Sequence, residues 1–337
     1  MNPAILIVGP SWVGDMVMAQ SLFRLLHERM PHASLDVLAP AWSLPIIARM
    51  PEVRKGVVSP AGHGEVGLWR RWKVAQAVRR EKYDQAIVLP RSLKAALIPW
   101  FAGIPRRTGF RGEMRFHLIN DRYDFDERKL NQTVKRFLAL ALRPEETLPP
   151  VPQPRLLVSP THQREVIERL QLATNRPVIA MMPGAEYGPA KCWPIEYYRA
   201  LAGMLQKEGH SVWVFGSARD RAAGEEIARG TGAVCLCGRT ELEDVVDLLG
   251  VCQQAVSNDS GLMHVAAAVG TRVIALYGST SPAFTPPLTD NCFIHYLGIE
   301  CSPCFQRECP LGHFRCLKDI RPEGVLETLR ERHTRVN

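Results

Sequence analysis

Short apolar runs alternate with amphipathic stretches along most of this chain. "AILIVG" (4–9) reads as a buried strand. "VMAQSLFRLLHERM" (17–30) repeats its apolar residues three and four apart, the period of a helix. Strand-like runs recur at "SLDVLAP" (34–40), "KGVVSP" (55–60) and "DQAIVLP" (84–90). Helical patterns fall at "WSLPIIARM" (42–50), "RRWKVAQAVRREKY" (70–83) and "LKAALIPWFAG" (93–103). Such alternation predicts a parallel sheet covered by helices on both faces.

The pattern then breaks. "LRPEETLPPVPQPRLLVSP" (142–160) places six prolines in 19 residues, the composition of a semi-rigid linker or domain seam. The alternation resumes with strands at "PVIAMMPG" (177–184), "SVWVFGSA" (211–218), "AVCLCG" (233–238), "QQAVSND" (253–259) and "RVIALYG" (272–278). Helical patterns lie between them, and a last one, "PEGVLETLRERH", spans 322–333. The expected fold class is α/β with two Rossmann-like domains, residues 1–155 and 156–337, the C-terminal helix being free to pack back on the first. Ligands of such sheets sit at the carboxyl ends of the strands, so the cleft between two domains is the expected site.

Composition narrows the function classes. The 337 residues are 46% apolar and 23% charged, an ordinary globular balance. No apolar run approaches the roughly 18 residues of a membrane helix, and no basic flank marks a signal peptide. A cytoplasmic location is expected. The formal charge of +8 suits a phosphorylated ligand or an anionic membrane surface. Nucleic acid is not expected, since no DNA- or RNA-binding signature is present.

The polar clusters all follow predicted strands. "PSWVGD" (10–15) lacks the Lys-Ser/Thr of a phosphate loop and instead ends in Asp15, at a helix start whose dipole favours a carboxylate. A carboxylate beside a sugar hydroxyl can act as general base; capping is the plainer reading. "PGAEYGPAKCWP" (183–194) offers Gly184 and Lys191, a point charge for a diphosphate or a solvated lysine. "FGSARD" (215–220) offers Gly216, Ser217 and Asp220, a ribose acceptor or a helix cap. In "NDSGLMH" (258–264), Ser260 and Gly261 open a helix that can hold an anion, with Asp259 at the strand tip and His264 one turn in.

Arg106, Arg107, Arg111 and Arg115, with Arg91 and Lys94 nearby, can clamp an anion or form a basic surface loop. Asp124 and Asp126 form a D-x-D more in keeping with an exposed strand than with a metal pair. Cys301, Cys304, Cys309 and Cys316 give C-x2-C-x4-C-x6-C. Four thiolates suit zinc, yet the spacing matches neither common zinc pairing, and free thiols are the alternative.

Five segments carry a resemblance: 9–22 ("GPSWVGDMVMAQSL"), 101–115 ("FAGIPRRTGFRGEMR"), 183–194, 215–220 and 258–288 ("NDSGLMHVAAAVGTRVIALYGSTSPAFTPPL"). In this order and nearly end to end, they resemble the ADP-heptose:lipopolysaccharide heptosyltransferases, most of all the branch that adds the second heptose. The resemblance implies a GT-B fold and inverting, metal-independent transfer with no required cofactor. The implied donor is ADP-L-glycero-D-manno-heptose. The implied acceptor is the first heptose of the Kdo–lipid A inner core at the cytoplasmic face of the inner membrane. Asp15 matches the family's general base and Lys191 its diphosphate lysine. Asp259 matches the residue on the donor heptose, and Ser260, Gly261 and His264 the phosphate-binding helix start. Gly184, Gly216, Ser217, Asp220 and Thr240 fall on the donor side. Ser11, Trp12, Gly14, Arg91, Arg111 and Arg115 fall on the acceptor side. A monomer is expected.

Two departures stand out: Arg91 occupies a position expected to be Asn, and the cysteine-rich segment is an addition. Transfer of the first heptose onto Kdo, a non-enzymatic nucleotide-binding or redox protein built on the cysteines, and a membrane-surface scaffold remain the alternatives.

Overall fold

The computed structural model describes residues 2–60, 67–143 and 145–331. The chain divides into two compact units, Met1–Leu157 and Val158–Asn337. In the first, β1 (Ala4–Val8), β2 (Ser34–Ala39), β3 (Lys55–Val58), β4 (Gln85–Val88), β5 (Arg106–Phe110) and β6 (Asp121–Tyr123) form one parallel sheet in the order β3-β2-β1-β4-β5-β6. Its helices are α1 (Val13–Arg29), α2 (Leu44–Ile47), α3 (Leu68–Arg80), α4 (Leu93–Phe101) and α5 (Thr133–Ala139). Leu6, Val8, Ala86 and Val88 pack against Ala75 and Val78 of α3 and Ala96 and Ile98 of α4. Helix α1 buries Met16, Leu22 and Phe23 completely. Order reverses between β1 and β4, so the switch point of this sheet lies beside the loop that opens α1.

The second unit begins with α6 (Pro160–Leu170). It builds β7 (Val178–Met182), β8 (Ser211–Val214), β9 (Val234–Cys235), β10 (Gln254–Asn258), β11 (Arg272–Tyr277) and β12 (Cys292–Tyr296) into a parallel sheet ordered β12-β11-β10-β7-β8-β9. Helices α7 (Ile195–Lys207), α8 (Arg221–Ala228), α9 (Leu242–Leu249), α10 (Gly261–Val269), α11 (Arg315–Lys318) and α12 (Pro322–Arg330) cover it. Strands β7 and β11 are buried at every residue, as central parallel strands must be. Here the switch point lies between β7 and β10.

Several elements differ from the pattern-based reading. The arginine-rich stretch enters the sheet as β5: Thr108, Gly109 and Phe110 are buried, and Arg106–Arg107 at the strand entrance hide that signal. Arg107 donates to the carbonyls of Leu118 (2.7 Å) and Ile104 (2.6 Å). The proline-rich stretch is pinned along α1. Buried Gln20 donates to the Arg155 carbonyl (2.6 Å) and accepts from its N–H (2.9 Å), and Arg24 donates to the Gln153 carbonyl. Regular structure resumes at Pro160, where Ser159 caps α6. Helix α12 packs in its own unit's core through Val325, Leu326 and Leu329. The last residues of the helix expected there, 332–333, lie outside the described residues.

One buried charge anchors the first unit. Asp36 on β2 is fully buried and accepts from Arg54 Nε (2.9 Å), Arg54 Nη2 (2.6 Å) and the Tyr83 hydroxyl. Replacing it leaves the buried Tyr83 hydroxyl without its acceptor and Arg54 with Glu81 alone among the described residues. Asp36→Ala is expected to destabilise the protein by about 3 kcal/mol, read by chemical denaturation.

Candidate functional site

The second unit's switch point gathers most of the expected donor side. The loop after β7 carries Gly184 and Lys191. The loop after β10 carries Asp259, Ser260 and Gly261. Gly188, at φ 151°, starts the short turn Pro189–Lys191, and a Cβ there would stand 2.5 Å from the Arg307 carbonyl oxygen, so only glycine fits. Lys191 Nζ donates to Asp259 Oδ2 at 2.6 Å and lies 5.1 Å from the Tyr187 ring centroid. The Thr280 hydroxyl donates to the same carboxylate oxygen at 2.6 Å. Asn258, fully buried, ties the two loops: its amide donates to the Pro183 carbonyl (2.6 Å) and its oxygen accepts from Trp193 N–H (3.0 Å).

Helix α10 opens at Ser260 in extended conformation, and its side chain makes no cap bond, so the first-turn N–H groups are not capped by it. That arrangement places helix-terminal donors beside the Lys191–Asp259 pair, a site for an anion. His264 sits inside α10, 4% exposed, and burial lowers its pKa to about 4. It is neutral at pH 7 and brings no positive charge of its own to the start of α10.

Asp220 fills space that Gly184 and Gly216 leave open: Cβ atoms there would come within 2.5 Å and 2.7 Å of it. Its carboxylate accepts from the Ser217 N–H (2.7 Å) and hydroxyl (2.8 Å), completing a capping box. The box closes the short turn Ala218–Asp220; at the start of α8 itself the Asp220 side chain makes no cap bond. The Thr240 hydroxyl donates to the Leu236 carbonyl (3.4 Å) just beyond β9.

In the first unit, Ser11 and Trp12 are exposed, Gly14 is buried, and Asp15 is half-buried in the first turn of α1. Trp42 Nε1 donates to the Ser11 carbonyl (3.1 Å). A cavity of about 110 Å³ opens at the ends of β1, β2 and β4. Gly9, Ser11, Ser59, Arg71, Ser92 and Lys94 line it, and no carboxylate stands among the described lining residues. Arg71 has been read only as part of a helical pattern; its spacing in α3 gives no sign that its head group turns inward.

The arginine clamp separates into unlike parts. Arg115 is 2% exposed and donates to the carbonyls of Pro90 (2.7 Å), Ser92 (3.2 Å) and Phe110 (2.7 Å). It frames the loops, which corrects its expected contact with the acceptor. Arg91 stacks on Phe125, 4.6 Å from the ring centroid. Arg111 pairs with Asp124 at 3.0 Å, and Asp126 accepts from Arg128 N–H at 3.0 Å, so the D-x-D is engaged locally. Cys301, Cys304, Cys309 and Cys316 line one small cavity. As placed, no three His, Cys, Asp or Glu side chains among the described residues form a metal-ready group.

Comparison with known proteins gives the family. A model of glycosyltransferase family 9 (heptosyltransferase) matches residues 71–315. The chain belongs to this family. It is 45% identical to lipopolysaccharide heptosyltransferase 2 of Escherichia coli K12 over 96% of the chain and 97% of that protein. It is 44% identical to lipooligosaccharide heptosyltransferase 2 of Haemophilus influenzae over 97% and 98%. The solved structure of E. coli ADP-heptose LPS heptosyltransferase II superposes with a TM-score of 0.88 at 43% identity, covering 97% of both chains. The family 9 assignment makes this chain a heptosyltransferase and excludes the non-enzymatic readings.

Burial of His264 has a measurable cost in acid. Its folded pKa, about 4, lies below the ordinary 6.5, so the unfolded chain takes up a proton first as pH falls. His264 therefore withdraws stability below about pH 6.5, by about 2 kcal/mol at pH 5. His264→Gln should show a correspondingly smaller loss over that window in denaturation curves at the two pH values.

Proposed function

We propose that this heptosyltransferase moves L-glycero-D-manno-heptose from ADP-heptose onto the first heptose of the Kdo–lipid A inner core. The observation that carries the reading is the Lys191–Asp259–Thr280 constellation beside the start of α10. A nucleoside diphosphate needs a cation and directed N–H groups where its charge grows, and a sugar needs a carboxylate to accept from its hydroxyls. Lys191 meets the diphosphate, Asp259 the heptose, and the N–H groups of Ser260 and Gly261 a phosphate. Thr240, Gly184 and the Gly216–Asp220 turn border the adenosine.

Asp15 acts as general base. It takes the proton of the acceptor hydroxyl as that oxygen bonds the anomeric carbon. The bond from that carbon to the phosphate oxygen breaks, ADP departs with the electron pair, and configuration inverts. Lys191 stabilises the charge on the departing phosphate. The basic cavity holding Arg71 and Lys94 suits the carboxylate of Kdo or an inner-core phosphate. No metal or cofactor takes part in these steps.

A lipid-linked acceptor calls for docking at the cytoplasmic membrane face, and α3 fits that task. Its 13 residues include five Arg or Lys and no Asp or Glu. Leu68, Trp69 and Trp72 are exposed, the two indoles stacked at 4.9 Å with Lys73 above one of them. Tryptophan and basic side chains together favour an anionic interface. Arg71 of the same helix faces the basic cavity, so the enzyme, working as a monomer, receives its acceptor beside the docked helix.

Asp15→Ala should lower turnover at least about 100-fold while donor affinity stays within about twofold. Steady-state assays with binding measurements check this, and unchanged turnover would remove Asp15 from its role. Mass spectrometry of the product should show heptose added to heptosylated Kdo2–lipid A and not to Kdo2–lipid A itself. Trp69→Ser with Trp72→Ser should weaken sedimentation with phosphatidylglycerol vesicles about tenfold, and equal sedimentation would dismiss α3 as the contact.

A further inference from the structure

Four thiols gather behind the Lys191 turn. Cys301, Cys304, Cys309 and Cys316, with His313, line one cavity of about 20 Å³, room for a single ion-sized occupant. No Lys, Arg, Asp or Glu stands in its wall. Cys301 Sγ lies 3.9 Å from His313 Nε2. All four thiols are free of disulfides.

The segment carrying them is long and irregular. From Leu297 to Ile320 its regular structure is the four-residue α11 alone. Loops of this length in a compact unit call for a functional or structural reason. Its contacts outward point to one place. Tyr187 O–H donates to the Phe305 carbonyl (2.7 Å) and Ala190 N–H to the Arg307 carbonyl (3.0 Å). Phe305 N–H donates to the Ser279 carbonyl (2.7 Å) and the Ser302 hydroxyl to the Gly278 carbonyl (2.6 Å). These bonds land on the turn that ends in Lys191 and on the loop that leads into Thr280. Lys191 and Thr280 both donate to the Asp259 carboxylate. Ala190 and Ser279, one residue before each, also line the cysteine cavity.

We propose that Cys301, Cys304, Cys309 and Cys316 bind one zinc or iron ion as four thiolates, and that this ion braces the Lys191–Asp259–Thr280 constellation from behind. Each thiol gives its proton to solvent on binding, so one divalent ion releases four protons and changes no oxidation state. As placed, the side chains do not form a metal-ready group; they close on the ion by rotation about their χ angles, from walls already around one cavity. The ion is structural: it stands one residue behind the donor site and touches neither donor nor acceptor. Its binding is independent of the proposed function, whereas its effect on the donor rests on that reading.

The test uses the full chain purified under reducing, anaerobic conditions and supplied with Zn²⁺ or Fe²⁺. Elemental analysis should give about one zinc or iron per chain, and Cys304→Ser with Cys316→Ser should lower that content at least about fivefold. Titrating the unmodified protein with a mercurial should release the ion in step with four thiols, which needs no variant to fold. The ion-free protein should bind ADP several-fold more weakly. Failure to take up either ion, or retention of it by the double variant, would overturn the site. A bound ion whose removal leaves ADP affinity unchanged would overturn the bracing alone, and the donor-site reading would stand.

Discussion

A lysine and an aspartate held largely out of water organise the second unit. The Lys191 and Asp259 side chains are 15% and 5% exposed and 2.6 Å apart. Removing two charges from water costs several kcal/mol per ion, and the attraction between them offsets this only with good geometry and further hydrogen bonds. Thr280 supplies one such bond, and Asn258 fixes the loops from which both charges project. A pair so placed is weak evidence for stability. It is better evidence for a site in which a positive charge waits, already oriented, for an anion. The pair's cost is carried by a rigid surround: buried strands β7 and β10 below it, Gly188 where no side chain fits, and the cysteine segment behind it.

The first unit treats its charges differently. Arg115 and Arg107 donate to backbone carbonyls and build loops. Asp36 is satisfied by Arg54 and Tyr83 and anchors the sheet. Near the switch point stand Asp15, in the first turn of α1, and the basic cavity lined by Arg71 and Lys94. A net charge of +8 is thus a poor guide by itself, because part of the positive charge is structural.

Much of this was legible in the sequence, for physical reasons. Central parallel strands are rich in apolar residues, so β1, β7 and β11 stood out, and the loops after them marked the strand ends where ligands bind. What escaped notice lacked a local signal. Strand β5 opens on two arginines and α6 sits behind a proline run, so composition masked both. Thr280 lies 21 residues from Asp259 and meets it only because β10 and β11 are neighbours. The inward turn of Arg71 depends on the packing of α3. The capping box that holds Asp220 and the burial of His264 likewise carry no mark in the sequence. Distance from a motif cannot reveal burial, and burial decides whether a polar group meets a ligand or a neighbour.

The proposed role of Lys191 is to meet the second phosphate of the donor. Calorimetric titration of ADP and AMP into the wild type and Lys191→Met tests it most directly. Loss of a lysine that meets the β-phosphate should weaken ADP binding at least about tenfold, roughly 1.4 kcal/mol, and leave AMP binding within about twofold. Equal losses for both nucleotides, or none for ADP, would contradict the account.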